Sequence, residues 1–303
     1  MDLLTRAFYE QAFRIAFLEK RGEAFQDLFS SIMEKRYPSD FIRTRPWGNQ
    51  GDRKNDGYVR STRTLFQVYA PNELEESKTL TKIEEDYAGA LPHWSDHFDT
   101  WVFVHNSMQG LGPGVTTKLL DLDRGNPNVR VRSWGFEELR RVVFELAFPE
   151  LASLLGPIPS RTELINIQYL EVENVLRTLE NRLSPQSDEI RPVPPRKLEA
   201  NALSPGVAQL LKAGMGSSDK IRDYFAKHFD PTLGDRVAQA FRGEYETLRN
   251  ANLTPDDIFS RLQFIGNGTI LATPSRQAAT LSVLAYLFEA CDIFERPPGE
   301  AAR

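Results

Sequence analysis

Apolar positions at helical spacing open the chain. Leu3–Arg21 and Ala24–Tyr37 each predict a helix, and Phe25, Leu28, Phe29 and Ile32 fall on one face of the second. Pro38-Ser39-Asp40 interrupts this pattern, and Phe41–Pro46 predicts a short strand. Tyr58–Arg60 and Thr64–Tyr69 then form a hairpin, which Pro71 ends because it has no N–H for a ladder. Glu73–Ala90 is a charged helix with an acidic first turn. Trp101–Val104 is a continuous apolar run, as expected of a strand buried on both faces. A helix over Thr116–Leu122, an alternating strand over Val129–Ser133 and a helix over Phe136–Leu146 follow. This order predicts an α/β (α+β) domain, a mixed central sheet flanked by helices.

The pattern changes after Phe148. Gly156-Pro157-Ile158-Pro159 reads as a linker, and Thr162 caps one long helix to Leu183, with Leu164, Ile167, Leu170, Val175 and Leu179 in its stripe. A second linker, Ile190–Arg196, carries three prolines. Beyond it five segments read as helices, the last starting at Thr273-Pro274 in the manner of a cap followed by proline. The expected organisation is residues 1–150 as the sheet domain, 151–195 as long helix and linker, and 196–303 as an all-α domain.

Composition narrows the setting. Of 303 residues, 41% are hydrophobic and 26% charged, and no apolar run is long enough to span a bilayer, so no membrane association is expected. The first 20 residues alternate charge with apolar side chains, unlike a signal peptide. A lone cysteine, Cys291, allows no intrachain disulfide, and a reducing cytoplasm fits best. Net charge is −5, yet between Asp40 and Thr64 six basic residues meet three acids. Arg43, Arg45, Arg53, Arg60 and Arg63 are therefore candidate phosphate contacts, although a solvated basic face reads the same way.

The densest chemistry lies in Gly51-Asp52-Arg53-Lys54-Asn55-Asp56-Gly57-Tyr58, followed by Phe66-Gln67-Val68-Tyr69-Ala70-Pro71. An acidic turn entering a hairpin can set a carboxylate beside a second oxygen ligand in an open cleft. Asp56 is the foremost ligand for Mg²⁺ or Mn²⁺, with the Gln67 amide oxygen, the Val68 carbonyl and Asp52 as further donors. The same spacing equally suits a tight loop that uses its aspartates as turn residues. Among the histidines, His93 and His97 stand four apart without a flanking Glu, and His105 ends a strand near the cleft edge. No lysine-ended phosphate loop appears, which argues against intrinsic ATPase activity.

These two strings resemble the Mrr-like branch of the PD-(D/E)XK restriction-endonuclease superfamily, over roughly residues 20–146. The resemblance implies a restriction-endonuclease-like fold and a metal-dependent nuclease. Asp56 takes the place of its metal-binding acid and Gln67 that of the second ligand, while Tyr69 stands where the family has a lysine. Lys54, Lys78 or Lys82 would replace that ammonium. The acid that the family carries after a Phe in its first helix is Gln26 here, with Glu23 or Asp27 as substitutes.

More narrowly, the strings, together with Cys291-Asp292-Ile293-Phe294-Glu295-Arg296-Pro297, are similar to effector proteins of bacterial ABC-three-component defence systems. That resemblance implies an antiphage effector acting on DNA, or on RNA. Its helical C-terminal domain would dock to an SMC-like ATPase or sensor, with homo-oligomerisation open. Three rivals remain: an active nuclease, an inactive nucleic-acid-binding relative, and a pure assembly subunit.

Overall fold

The computed structural model describes residues 1–44, 54–179, 197, 201–290 and 293–294. They divide into two compact units, residues 16–154 and residues 1–15 with 155–303.

The first unit is built on a five-stranded sheet in the order β1-β2-β3-β4-β5: Phe41–Arg43, Gly57–Val59, Thr64–Tyr69, Thr100–His105 and Arg130–Trp134. The β1–β2 and β2–β3 pairs are antiparallel, and β3–β4 and β4–β5 are parallel. This is the expected mixed sheet. Helices α2 (Gly22–Arg36), α3 (Glu76–Trp94), α4 (Pro113–Gly125), α5 (Phe136–Phe144) and α6 (Phe148–Leu155) accompany it in chain order, while most of α1 (Leu3–Glu19) is counted with the second unit, whose core holds its Ala7 and Phe8.

The two central strands are apolar on both faces because both are covered. Leu65 of β3 and Trp101 and Phe103 of β4 pack with Ile83, Tyr87 and Ala90 of α3 and Val115 and Leu119 of α4. On the other face the Phe66 ring lies 5.3 Å from Phe29 of α2 and 5.1 Å from Trp134 of β5. Each fully buried aromatic contributes about 2–3 kcal/mol of apolar burial.

The second unit is helical. Its core gathers side chains from α7 (Arg161–Ile165), α8 (Tyr169–Leu179), α9 (Pro205–Met215), α10 (Ser218–Lys227), α11 (Leu233–Asn250), α12 (Pro255–Asn267) and α13 (Pro274–Glu289). Three of these helices begin alike. Ser204, Thr254 and Thr273 each accept the N–H of the third helical residue at 3.3 Å, and proline occupies the first position, where no N–H is needed. Helix α13 is the hub, with every residue from Ala278 to Phe288 buried.

The single long helix expected from Thr162 is instead two. Ser160, not Thr162, caps α7 in a reciprocal box with Glu163. Asn166 leaves the helical conformation, and α8 starts afresh at Tyr169. Ile167, in the break, is buried in the helical core, which accounts for its apparent place in one continuous stripe. Among the described residues no helix is long and apolar enough to cross a membrane. Cys291 lies outside the described residues, whereas its neighbours Ile293 and Phe294 belong to the helical core.

Candidate functional site

Asp56 stands one residue before β2, and its N–H donates to the Phe66 carbonyl at 2.8 Å. The antiparallel register pairs Gly57 with Phe66 and Tyr58 with Leu65. The pairing ends there: Asp56, just before the strand, bonds to the Phe66 carbonyl rather than continuing the ladder to Gln67. The Asp56 carboxylate reaches across the pair, where Oδ2 accepts the Val68 N–H at 2.7 Å. Val68 thus meets Asp56 through its N–H rather than through the carbonyl expected as a ligand.

The glycine after Asp56 has a packing reason. A Cβ on Gly57 would lie 2.3 Å from the Phe41 ring, so a side chain there would drive β1 and β2 apart.

Gln67 shares the α3 side of the sheet with Leu65 and Tyr69. It is 3% exposed, and its Oε1 makes no hydrogen bond among the described residues. A buried amide oxygen without a donor is unusual. The open cleft expected from the sequence is not what the hairpin forms: Asp56 is 9% exposed and Gln67 less, because α3 closes over this side of β3. For a divalent ion the donor chemistry nevertheless fits, since a carboxylate and an unpartnered carbonyl oxygen are the hard ligands Mg²⁺ prefers. Among the described residues no group of three His, Cys, Asp or Glu side chains could hold a metal, so any ion here would keep water in several positions.

The three lysines sit differently from one another. Lys54 adopts a left-handed backbone with φ of 62°, and its Nζ lies 3.0 Å from Asp86 Oδ1. Lys82 reaches the same carboxylate, 2.8 Å from Oδ2 and 3.0 Å from Oδ1. Lys78 points outward to Glu75 at 2.7 Å, and that hydrogen bond and charge raise its pKa. Lys78, Lys82 and Tyr69 line a shallow groove of about 310 Å³ with Ser77, Thr81 and Glu85. Tyr69, in the place of the family's lysine, therefore has two ammonium groups for neighbours.

Asp86 was not singled out from the sequence. It is fully buried, and the signal for it existed: Thr79, Ile83, Tyr87 and Ala90 define the inward stripe of α3, and Asp86 is the acid within it.

Asp52, Arg45 and Arg53 lie outside the described residues. The remaining basic patch is offset by acids from elsewhere in the chain. Arg43 pairs with Asp27 of α2, and Arg63 pairs with Asp99 at 2.8 Å and donates to the Asp96 carbonyl. Arg60 lies beside Asp40, whose carboxyl is held below its usual range chiefly by Ser61 and further by that charge. Asp27, one candidate for the helper acid, is thus engaged with Arg43, while Glu23 sits in the first turn of α2.

Helix α3 ends at Trp94, so His93 and His97 do not share a helical face. His105, the register partner of Tyr69, is 4% exposed, and burial pushes its pKa down to about 4. Its Nδ1 accepts the Ser107 N–H at 3.3 Å, and Gly135 leaves room for the ring, since a Cβ there would lie 2.6 Å from Cε1.

The described residues thus comprise a mixed α/β unit and a helical unit. Residues 170–295, from α8 to beyond α13, match the family model for C-terminal domain 10 of the ABC-three component (ABC-3C) systems. This match supports the chain as a component of such a system. It covers under half of the sequence and does not reach the sheet unit. No match was found among curated proteins, and none among solved structures.

Proposed function

We propose that the chain is an effector of an ABC-three-component defence system. Its helical domain docks to an ATPase or sensor component, and its sheet domain is a restriction-endonuclease-like module that hydrolyses DNA phosphodiester bonds with Mg²⁺ or Mn²⁺. The family match over residues 170–295 supports the first part. One observation carries the second: the Gln67 Oε1, buried and without a donor among the described residues, on the residue before the Val68 N–H that Asp56 accepts.

When bound, the ion would neutralise phosphate charge and acidify a water. Asp56 and Gln67 would hold it. The bond from Val68 N–H fixes the Asp56 carboxylate against rotation, so the ligand is oriented before any ion arrives. Tyr69 contributes one O–H donor, and the positive charge of the family's missing lysine falls to Lys54, Lys78 or Lys82.

The non-catalytic reading is favoured by a different observation. Asp56 is buried with one oxygen spent on the backbone, and Lys54 and Lys82 are spent on Asp86. In that reading the sheet domain binds nucleic acid or assembles the complex without cutting. Plasmid cleavage in Mg²⁺ and Mn²⁺ separates the two. Cleavage that disappears in Asp56→Ala supports the hydrolase, whereas salt-dependent DNA binding that survives Asp56→Ala without cleavage selects the binding module.

A further inference from the structure

Lys82, Asp86 and Gly89 follow at spacings of four and three along α3, so they lie on one side of the helix. Asp86 has no exposed surface, and two ammonium groups contact it. Leaving a buried carboxylate unpaired costs about 3–5 kcal/mol. One lysine is enough to remove that penalty, so the pair leaves one positive charge in surplus.

Lys54 is the lysine built in for neutralisation. It holds a left-handed backbone that lysine rarely adopts. Its aliphatic stem lies across Gly89, where a Cβ would come within 2.8 Å of Cγ. Lys82 has no such constraint. Its side chain is 31% exposed and lines the groove beside Tyr69. An ammonium has three N–H donors, and the two oxygens of Asp86 take at most two, so a donor is left for the groove.

Lys78 shares the groove but not the anchoring. It is 67% exposed and, among the described residues, pairs with Glu75, itself exposed. Lys78 and Lys82 are the cations that line the groove, with Glu85 the acid among its lining residues. A fixed donor stabilises an anion better than a mobile one, because less reorganisation accompanies binding.

We propose that Lys82 is the phosphate-contacting cation of this groove, and that Asp86 is its positioning residue. The ligand class is a nucleic-acid phosphodiester. The proposal rests on reading the sheet domain as a nucleic-acid module, but not on its cutting anything. A purely structural triad, serving to fasten residue 54 to α3, would leave Lys82 dispensable, since Lys54 alone neutralises Asp86.

The test is fluorescence anisotropy of a short labelled DNA duplex with the full chain, in Ca²⁺ over a range of salt. Lys82→Ala should weaken binding at least about tenfold and lower the slope of log K against log salt by about one. Lys82→Arg should recover much of the loss, and Lys78→Ala should change affinity less than about twofold. Asp86→Asn should reproduce the loss in the wild-type background and add little to Lys82→Ala. Far-ultraviolet circular dichroism checks that each variant is folded, and the Lys82 variants decide the matter should Asp86→Asn unfold. Wild-type affinity in Lys82→Ala, equal losses in Lys78→Ala and Lys82→Ala, or no duplex binding by the wild type each overturns the proposal. Plasmid cleavage keeps the two readings apart. Duplex binding through Lys82 without cleavage ends the hydrolase and leaves this site standing, whereas cleavage undiminished in Lys82→Ala does the reverse.

Discussion

Replacing Gln67 by leucine trades a buried amide, whose Oε1 has no donor among the described residues, for an apolar side chain of similar volume. The unpaired oxygen carries a desolvation penalty of about 1–3 kcal/mol, which leucine does not have. Gln67 is 3% exposed, so water relieves little of that penalty. Without metal, the variant should therefore be more stable by about 1–2 kcal/mol. At a urea dependence of about 2 kcal/mol per molar, the midpoint should rise by roughly 0.5–1 M. The readout by fluorescence is selective, because the tryptophans among the described residues, Trp94, Trp101 and Trp134, all belong to the sheet unit. Adding Mn²⁺ should invert the order. An ion at a hundred times its dissociation constant stabilises the wild type by about 2.7 kcal/mol, and the variant, lacking a ligand, should gain far less. The expected signature is a crossing: leucine ahead without metal, glutamine ahead with it. A Gln67→Leu chain that is weaker without metal would mean that Oε1 has a donor in solution. An equal response of both chains to Mn²⁺ would mean that Gln67 is not a ligand.

Acidification should destabilise the sheet unit through His105. Its folded pKa is about 4, against an ordinary value of 6.5, so the stabilising effect is complete above pH 6.5. It fades as pH falls toward 4, because the unfolded chain takes a proton that the folded one refuses, with a total of about 3 kcal/mol. Urea midpoints at several pH values should show this decline, and His105→Gln should flatten it; the same slope in the variant would assign the effect elsewhere. In the helical unit, a Cβ on Gly214 would lie 2.7 Å from the Leu281 carbonyl and 2.8 Å from the Ala285 side chain. Gly214→Ala should therefore destabilise by about 1–3 kcal/mol despite its better helix propensity, read by circular dichroism, and a gain in stability would contradict the close packing of α9 on α13. Lys197, 1% exposed, donates to the Phe288 carbonyl at 2.8 Å and to the Ile293 carbonyl at 2.6 Å. Lys197→Met leaves those acceptors without this donor and should cost about 2 kcal/mol or more in the same assay; an unchanged midpoint would show that other donors serve the end of α13.

Much of this architecture was written in periodicity. The stripe in α2, the doubly apolar run of β4 and the Thr273-Pro274 start of α13 each follow from one local rule, and each forms as expected. The break between α7 and α8 was not legible, because Ile167 keeps a helical apolar register through a non-helical corner. At the candidate site, the hairpin that brings Asp56 against β3 follows from the alternating strands and could be foreseen. Its burial could not, since it depends on α3 closing over β3. Charge was misjudged for a related reason. Counting along residues 40–64 left out Asp27 and Asp99, which the fold brings to Arg43 and Arg63. Asp86 escaped notice because an acid in a charged helix looks solvated until its stripe is traced.

The most direct trial of the metal-site claim is a crystal of the full chain soaked in Mn²⁺ and measured at an anomalous wavelength. One strong peak is expected between the side-chain oxygens of residues 56 and 67, absent from Asp56→Ala. A map with manganese elsewhere and nothing between those oxygens would contradict it.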